Sequence, residues 1–123
     1  MTRSPFSLAF SPAFWRWLFW LCALVVLVLA LLPPDEPMPT TGWDKSNHML
    51  AFATLFLLGQ RGFGRRTGWV LAGLLAYGVL IELLQALTTY RSSDWHDVVA
   101  DSAGLAVGLA IDNLYRLRRT ART

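Results

Sequence analysis

The chain has 123 residues and a formal net charge of +3, with 54% of its residues hydrophobic and only 15% charged. A composition this apolar cannot solvate the surface of a small soluble protein, and the length suits a single domain. The lone cysteine, Cys22, excludes an internal disulfide and is read as a small apolar filler.

In chain order, the first apolar stretch covers residues 14–32, close to the roughly 20 residues that a spanning helix needs. Arg3 and Arg16 stand ahead of its uninterrupted apolar block, from Trp17 on, as they would in a signal peptide. However, Leu32-Pro33-Pro34-Asp35 follows in place of a small-x-small cleavage site, so a retained anchor helix is expected. The turn PPDEPMP then breaks the chain. A weaker stretch, 44–60, is long enough for about 25 Å of helix. Two further stretches cover 68–89 and 97–115. The expectation is an all-α integral membrane bundle of four transmembrane helices, forming one domain over residues 1–123.

Arginines cluster in three places: Arg3 and Arg16; Arg61, Arg65 and Arg66; and Arg116, Arg118, Arg119 and Arg122. With four helices these clusters share one side of the membrane, which by the positive-inside rule is the cytoplasm and holds both termini. Nine of the eleven basic residues then lie inside, leaving Lys45 and Arg91 outside. The clusters are read as topology signals, with anionic lipid as a weaker reading and no nucleic acid implied. Trp15, Trp17 and Trp20 on one side, and Trp43 and Trp95 on the other, fit interfacial belts.

All the acids except Asp112 fall on the outer side or in the outer half of the membrane. Glu82 and Gln85 share a face of the third helix. Asp97 and Asp101 share one on the fourth, continued by Gly104 and Gly108, with Leu105 expected on a different face. Asp44 and His48 share one on the second. Asp44, His48, Glu82, Gln85, Asp97 and Asp101 are therefore expected to converge, with Lys45 and Arg91 as counter-charges and Glu82 as the deepest member. His96, beside Asp97, should point elsewhere. Plainer roles exist for several of these residues. Asp94 with Asp97, and Thr41 with Asp44, fit helix caps. Gly104 and Gly108 fit a close-packing face. Glu82 and Asp101 fit such roles least, because an ionised group in a spanning helix costs about 2.5–3.5 kcal/mol and must find a partner; structural pairing would satisfy that need as well as a functional pocket.

The ordered set Asp44-Lys45-x-x-His48, Glu82-x-x-Gln85 and Arg91-x5-Asp97-x3-Asp101-x2-Gly104-x3-Gly108 resembles the VanZ-like membrane proteins over residues 44–108. The resemblance implies a small multi-helix protein of the bacterial cytoplasmic membrane, in a family whose founding member confers low-level resistance to the glycopeptide teicoplanin. Its signature residues would be Asp44, Lys45, His48, Glu82, Gln85, Arg91, Asp97, Gly104 and Gly108. Asp101 departs from the pattern, since relatives often carry Asn there, and it adds a potential negative charge.

Two functions follow from these residues. The first is a binding protein of the cell envelope, in contact with membrane lipids and taking a lipid-linked or peptidoglycan-related head group. Arg91 and Lys45 would hold its anionic group while Glu82, Gln85 and Asp97 hydrogen-bond the rest. The second is an intramembrane enzyme with His48 or Glu82 as general base and Asp97 and Asp101 as acids or metal ligands. No metal-ligand string, nucleophile elbow or glycine-rich phosphate loop is present, so neither a metal nor a cofactor is expected. A small transporter is a third reading, and the oligomeric state is not fixed by the sequence.

Overall fold

The computed structural model describes residues 10–32, 44–89 and 95–121. These form four helices and no strand: α1 (Pro12–Leu31), α2 (Asp44–Gly62), α3 (Thr67–Ala86) and α4 (Trp95–Ala121). Ser11 caps α1 by accepting from the Phe14 amide at 3.3 Å, and Pro12 occupies the first turn, where its missing N–H is no loss. Gly64 and Arg65 both take positive φ, at 67° and 60°, after α2. The Arg65 amide donates to the Gln60 carbonyl at 3.0 Å, which makes this turn a Schellman stop.

Two boundaries differ from the sequence expectation by three residues or more, the others by at most two. α3 ends at Ala86 rather than 89, because Leu87 and Thr88 donate to Leu84 and Gln85 at 3.1 Å in tightened i→i+3 turns. α4 runs on to Ala121 rather than 115. Its last stretch, rich in Arg and Leu, has good helix propensity, and its positive charges suit a helix C-terminus.

The helices alternate in direction. At one end Arg16 of α1 donates to the Gly62 carbonyl at 3.1 Å, and the Arg61 guanidinium lies 5.0 Å from the Trp15 ring and 5.5 Å from the Tyr115 ring. At the other end Gln85 of α3 donates to the Ala30 carbonyl of α1 at 2.8 Å, and His48 of α2 meets Asp101 of α4 at 2.9 Å. Arg16, Arg61 and Arg119 thus gather at one end and the first-turn acid of α4 at the other.

Among the described helices α1, α3 and α4 are long and apolar enough to cross a membrane. They also carry most of the large exposed apolar side chains, including Trp17 and Leu24, Trp69 and Leu83, and Ile111 and Leu114, whereas α2 exposes Leu50. α2 is less apolar in sequence yet enters the centre: Phe52, Leu55 and Phe56 are fully buried and pack with Val70, Leu74 and Ile81 of α3 and Leu105 of α4. A helix shielded by its neighbours needs no lipid-facing apolar coat, so polar residues at its ends lower its hydropathy without exposing it. α1, by contrast, has no fully buried residue.

Leu105 corrects the expectation of a separate face: it is 3% exposed and belongs to the core. α4 packs against both α2 and α3, so its buried arc is wider than the stripe of Asp97, Asp101, Gly104 and Gly108.

Gly104 and Gly108 set the approach of α4 to α2. A Cβ on Gly104 would collide with the Met49 carbonyl oxygen and lie 2.9 Å from the Met49 Cα. One on Gly108 would lie 3.0 Å from Phe56 Cδ1 and 3.1 Å from the Ala53 carbonyl oxygen. A Cβ on Gly73 of α3 would meet nothing within 4 Å. Thermal unfolding in detergent should therefore rank three variants. Gly104→Ala should destabilise most, by about 1–3 kcal/mol of overpacking. Gly108→Ala should cost less because the Phe56 ring can shift, and Gly73→Ala should be neutral or stabilising. Equal melting of Gly104→Ala and Gly73→Ala would contradict the backbone contact.

Candidate functional site

Asp97 and Asp101 lie one turn apart on α4, so both carboxylates face the same side, where the first turns of α2 supply His48. His48 Nδ1 is 2.9 Å from Asp101 Oδ1, and His48 Nε2 is 3.6 Å from Asp97 Oδ2. The first distance is a hydrogen bond; the second is a charge contact too long to be one. The side chain of His48 is 15% exposed, that of Asp97 8% and that of Asp101 2%.

An imidazole with a carboxylate at each nitrogen restricts the proton count. A neutral ring has one N–H and can donate to only one of the two acids. Both contacts are favourable when the ring is an imidazolium, or when one acid carries a proton and donates it. In either form the three groups together carry a charge of −1. The site is suited to accept hydrogen bonds from an incoming donor, or to move one proton along the ring between two acids.

Asp101 enters the bundle because α3 has no side chain at Gly78, where a Cβ would lie 2.7 Å from Asp101 Oδ2. Gly78, Glu82 and Gln85 are all buried on one face of α3. Gly78 was not singled out in the sequence, although its i−4 spacing from Glu82 marked it. Asp101 therefore lies at the level of Gly78, one turn deeper than Glu82, which was expected to be the deepest member. Glu82 is 6% exposed on that same face.

Gln85 is turned toward α1. Its Nε2 donates to the Ala30 carbonyl at 2.8 Å. Ala30 lies in the last turn of α1, and the residue four positions on is Pro34, which has no N–H to offer. Gln85 thus satisfies a helix-end carbonyl in an apolar setting, a role that its spacing from Glu82 did not indicate. Its Oε1 is buried without a hydrogen-bond partner among the described residues. Arg91, Asp94 and the side chains of Asp44 and Lys45 lie outside the described residues. His96 points outward, as expected, and stacks on the Trp95 ring with centroids 3.8 Å apart.

A second polar group lies at the arginine end. Gln60 Nε2 of α2 donates to Asp112 Oδ2 at 3.2 Å and to Thr67 Oγ1 at 2.9 Å, and Gln60 and Asp112 are both buried. Sequence reasoning placed Asp112 on this side but gave it no partner. The available signal was its position four residues beyond Gly108, on the same buried stripe.

The model of the VanZ/LLP1 family matches residues 5–116. The match includes α1, which the resemblance over residues 44–108 had left out. No curated protein matches the chain, and no solved structure does. A match over most of the chain, on an all-helical bundle with three membrane-competent helices, establishes that this protein belongs to the VanZ/LLP1 family of membrane proteins.

Proposed function

We propose that the protein spans the bacterial cytoplasmic membrane four times, with both termini inside, and that it binds a polar head group of an envelope lipid or peptidoglycan-related precursor at its outer end. The topology is supported by the gathering of Arg16, Arg61 and Arg119 at one end of an up-down bundle. α2 runs the length of that bundle between its neighbours, so it crosses with them.

The observation that carries the binding reading is His48, partly exposed and held between the buried Asp97 and Asp101. A purely structural link would be expected to exclude solvent from all its members. Here the two acids are sequestered and the ring keeps an exposed edge. In this reading the acids orient the ring toward the opening and accept hydroxyl or ammonium donors of the head group. Lys45 and Arg91 take its phosphate or carboxylate.

Native mass spectrometry of gently extracted protein with added envelope lipids tests this reading. Asp101→Asn keeps a polar partner for His48 but removes the charge, and His48→Gln removes the ring. Loss of one charge-assisted hydrogen bond, about 1.5–3 kcal/mol, should weaken the bound species roughly 10- to 100-fold while the protein still melts cooperatively. Undiminished binding in both folded variants would reduce the three residues to helix pairing. A hydrolysed or transferred head group in the spectrum would favour the enzyme reading, with His48 as base. Teicoplanin susceptibility of cells with and without the protein, and with Asp101→Asn, relates the site to a phenotype.

The topology has its own test. In a Cys22→Ala background, Ser92→Cys should react with an impermeant thiol reagent in intact cells. Gly68→Cys, which sits in open space after the arginine turn, should react only after lysis. Labelling of Gly68→Cys in intact cells would place α2 outside the set of crossing helices.

A further inference from the structure

A groove of about 1080 Å³ lies between α1 and α3 at the arginine end, away from His48 and the acids. Its volume is at the upper end of the roughly 300–1,000 Å³ of small-molecule sites. Its walls are apolar, formed by Phe19, Trp20 and Ala23 of α1 and Trp69, Gly73 and Leu80 of α3, and its mouth carries Arg16, Arg61 and Arg66. It is closed at the far end by the Tyr77 hydroxyl, which donates to the Ala23 carbonyl and ties the two helices together. On the arginine side of that tie, small residues on α3 leave the groove open: a Cβ on Gly73 would meet nothing within 4 Å.

We infer that this groove is a binding site for one anionic phospholipid from the leaflet at the arginine end. Three features identify the occupant. The groove runs from Pro12 to Ala23 on α1 and from Trp69 to Leu80 on α3. At helical rise each span is about 16 Å, close to the roughly 15 Å that one leaflet contributes to the hydrocarbon core. An acyl chain fills that length, whereas a soluble anion would use only the mouth. The mouth is positive: no carboxylate among the described residues forms an ion pair with Arg16, Arg61 or Arg66, and Asp112, at the same end, is buried on Gln60 and does not line the groove. Arg16 commits one nitrogen to the Gly62 carbonyl and Arg61 leans on two aromatic rings, while the Arg66 guanidinium has no such commitment among the described residues. Guanidinium groups pair well with phosphate, and basic residues at this depth attract anionic heads. The groove is therefore chemically a lipid slot: positive at the interface, apolar below it and closed near the midplane. The inference does not rest on the head-group site at the other end.

The test is native mass spectrometry of the full chain in detergent with equimolar phosphatidylglycerol and phosphatidylcholine, and separately with millimolar inorganic phosphate. The protein should retain one phosphatidylglycerol, preferred about tenfold over phosphatidylcholine, and phosphate should not displace it. Gly73→Phe and Ala76→Phe should fill the groove and abolish the adduct. Val79→Phe, exposed on α3 but outside the groove, should leave it unchanged. Arg66→Gln, at an exposed position, should equalise the two lipids, and it decides the matter even where a Phe variant does not fold. Equal retention of both lipids by the unsubstituted protein would overturn the inference, as would displacement by phosphate. An adduct that survives both folded Phe variants, or a dimer that replaces the adduct and is lost on filling the groove, would overturn it too.

Discussion

The contact on which the rest of the structure depends is that between the backbones of α2 and α4 at Gly104. Met49 of α2 lies where a side chain on Gly104 would be, so the two backbones are in direct contact there. Polar side chains bracket this contact: His48 with Asp97 and Asp101 on one side, Gln60 with Asp112 on the other. The brackets are 12 residues apart on α2 and 11 apart on α4 between Asp101 and Asp112, or about 16–18 Å on each helix. Antiparallel helices in close contact keep such pairs in register along their length. Shifting α4 by one turn would bring Ala100 against Met49 in one direction or Asp112 against Ala53 in the other, and in either case would part Asp112 from Gln60. In a membrane, where burial of apolar area offers no gain between helices, packing and hydrogen bonds of this kind supply the specificity.

Register also accounts for the division of labour among the helices. α2 and α4 form the seam, α3 covers it with Gly78 opposite Asp101, and α1 lies against the outside. Of the buried carboxylates, Asp97, Asp101 and Asp112 line the seam, and Glu82 sits on the helix that covers it. The cost of holding them is offset by partners that arrive only when α2, α3 and α4 are together.

Much of this was legible in the sequence. The four helices follow from apolar length and from the turns that separate them, and the stripe Asp97-Asp101-Gly104-Gly108 from α-helical spacing. His48 was paired with the acids by depth alone. What the sequence did not convey was the identity of each neighbour. Periodicity says that Gln85 faces inward but not that α1 ends on a proline-starved carbonyl beside it. It isolates Asp112 as the odd acid but not Gln60 as its donor, because that pairing spans 52 residues of chain. Leu105 was misplaced for a related reason: one stripe describes packing against one helix, whereas α4 packs against two. Hydropathy ranks α2 low because its ends are polar, although Phe52, Leu55 and Phe56 in its middle are fully buried.

The attachment of α1 has a consequence for how the chain is made. Arg16, Ala23 and Ala30, seven residues apart, hydrogen-bond to Gly62, Tyr77 and Gln85, which lie 46, 54 and 55 residues further along. Synthesis delivers α1 to the bilayer first, before any of those partners has left the ribosome. From Trp17 to Leu31 it carries no charged side chain and no polar one beyond Cys22 and the Trp indoles, so it can wait alone in lipid. The later helices cannot wait in the same way, since each brings a carboxylate or an amide that needs a companion. The chain order thus places the helix that tolerates solitude ahead of the three that must assemble as a group.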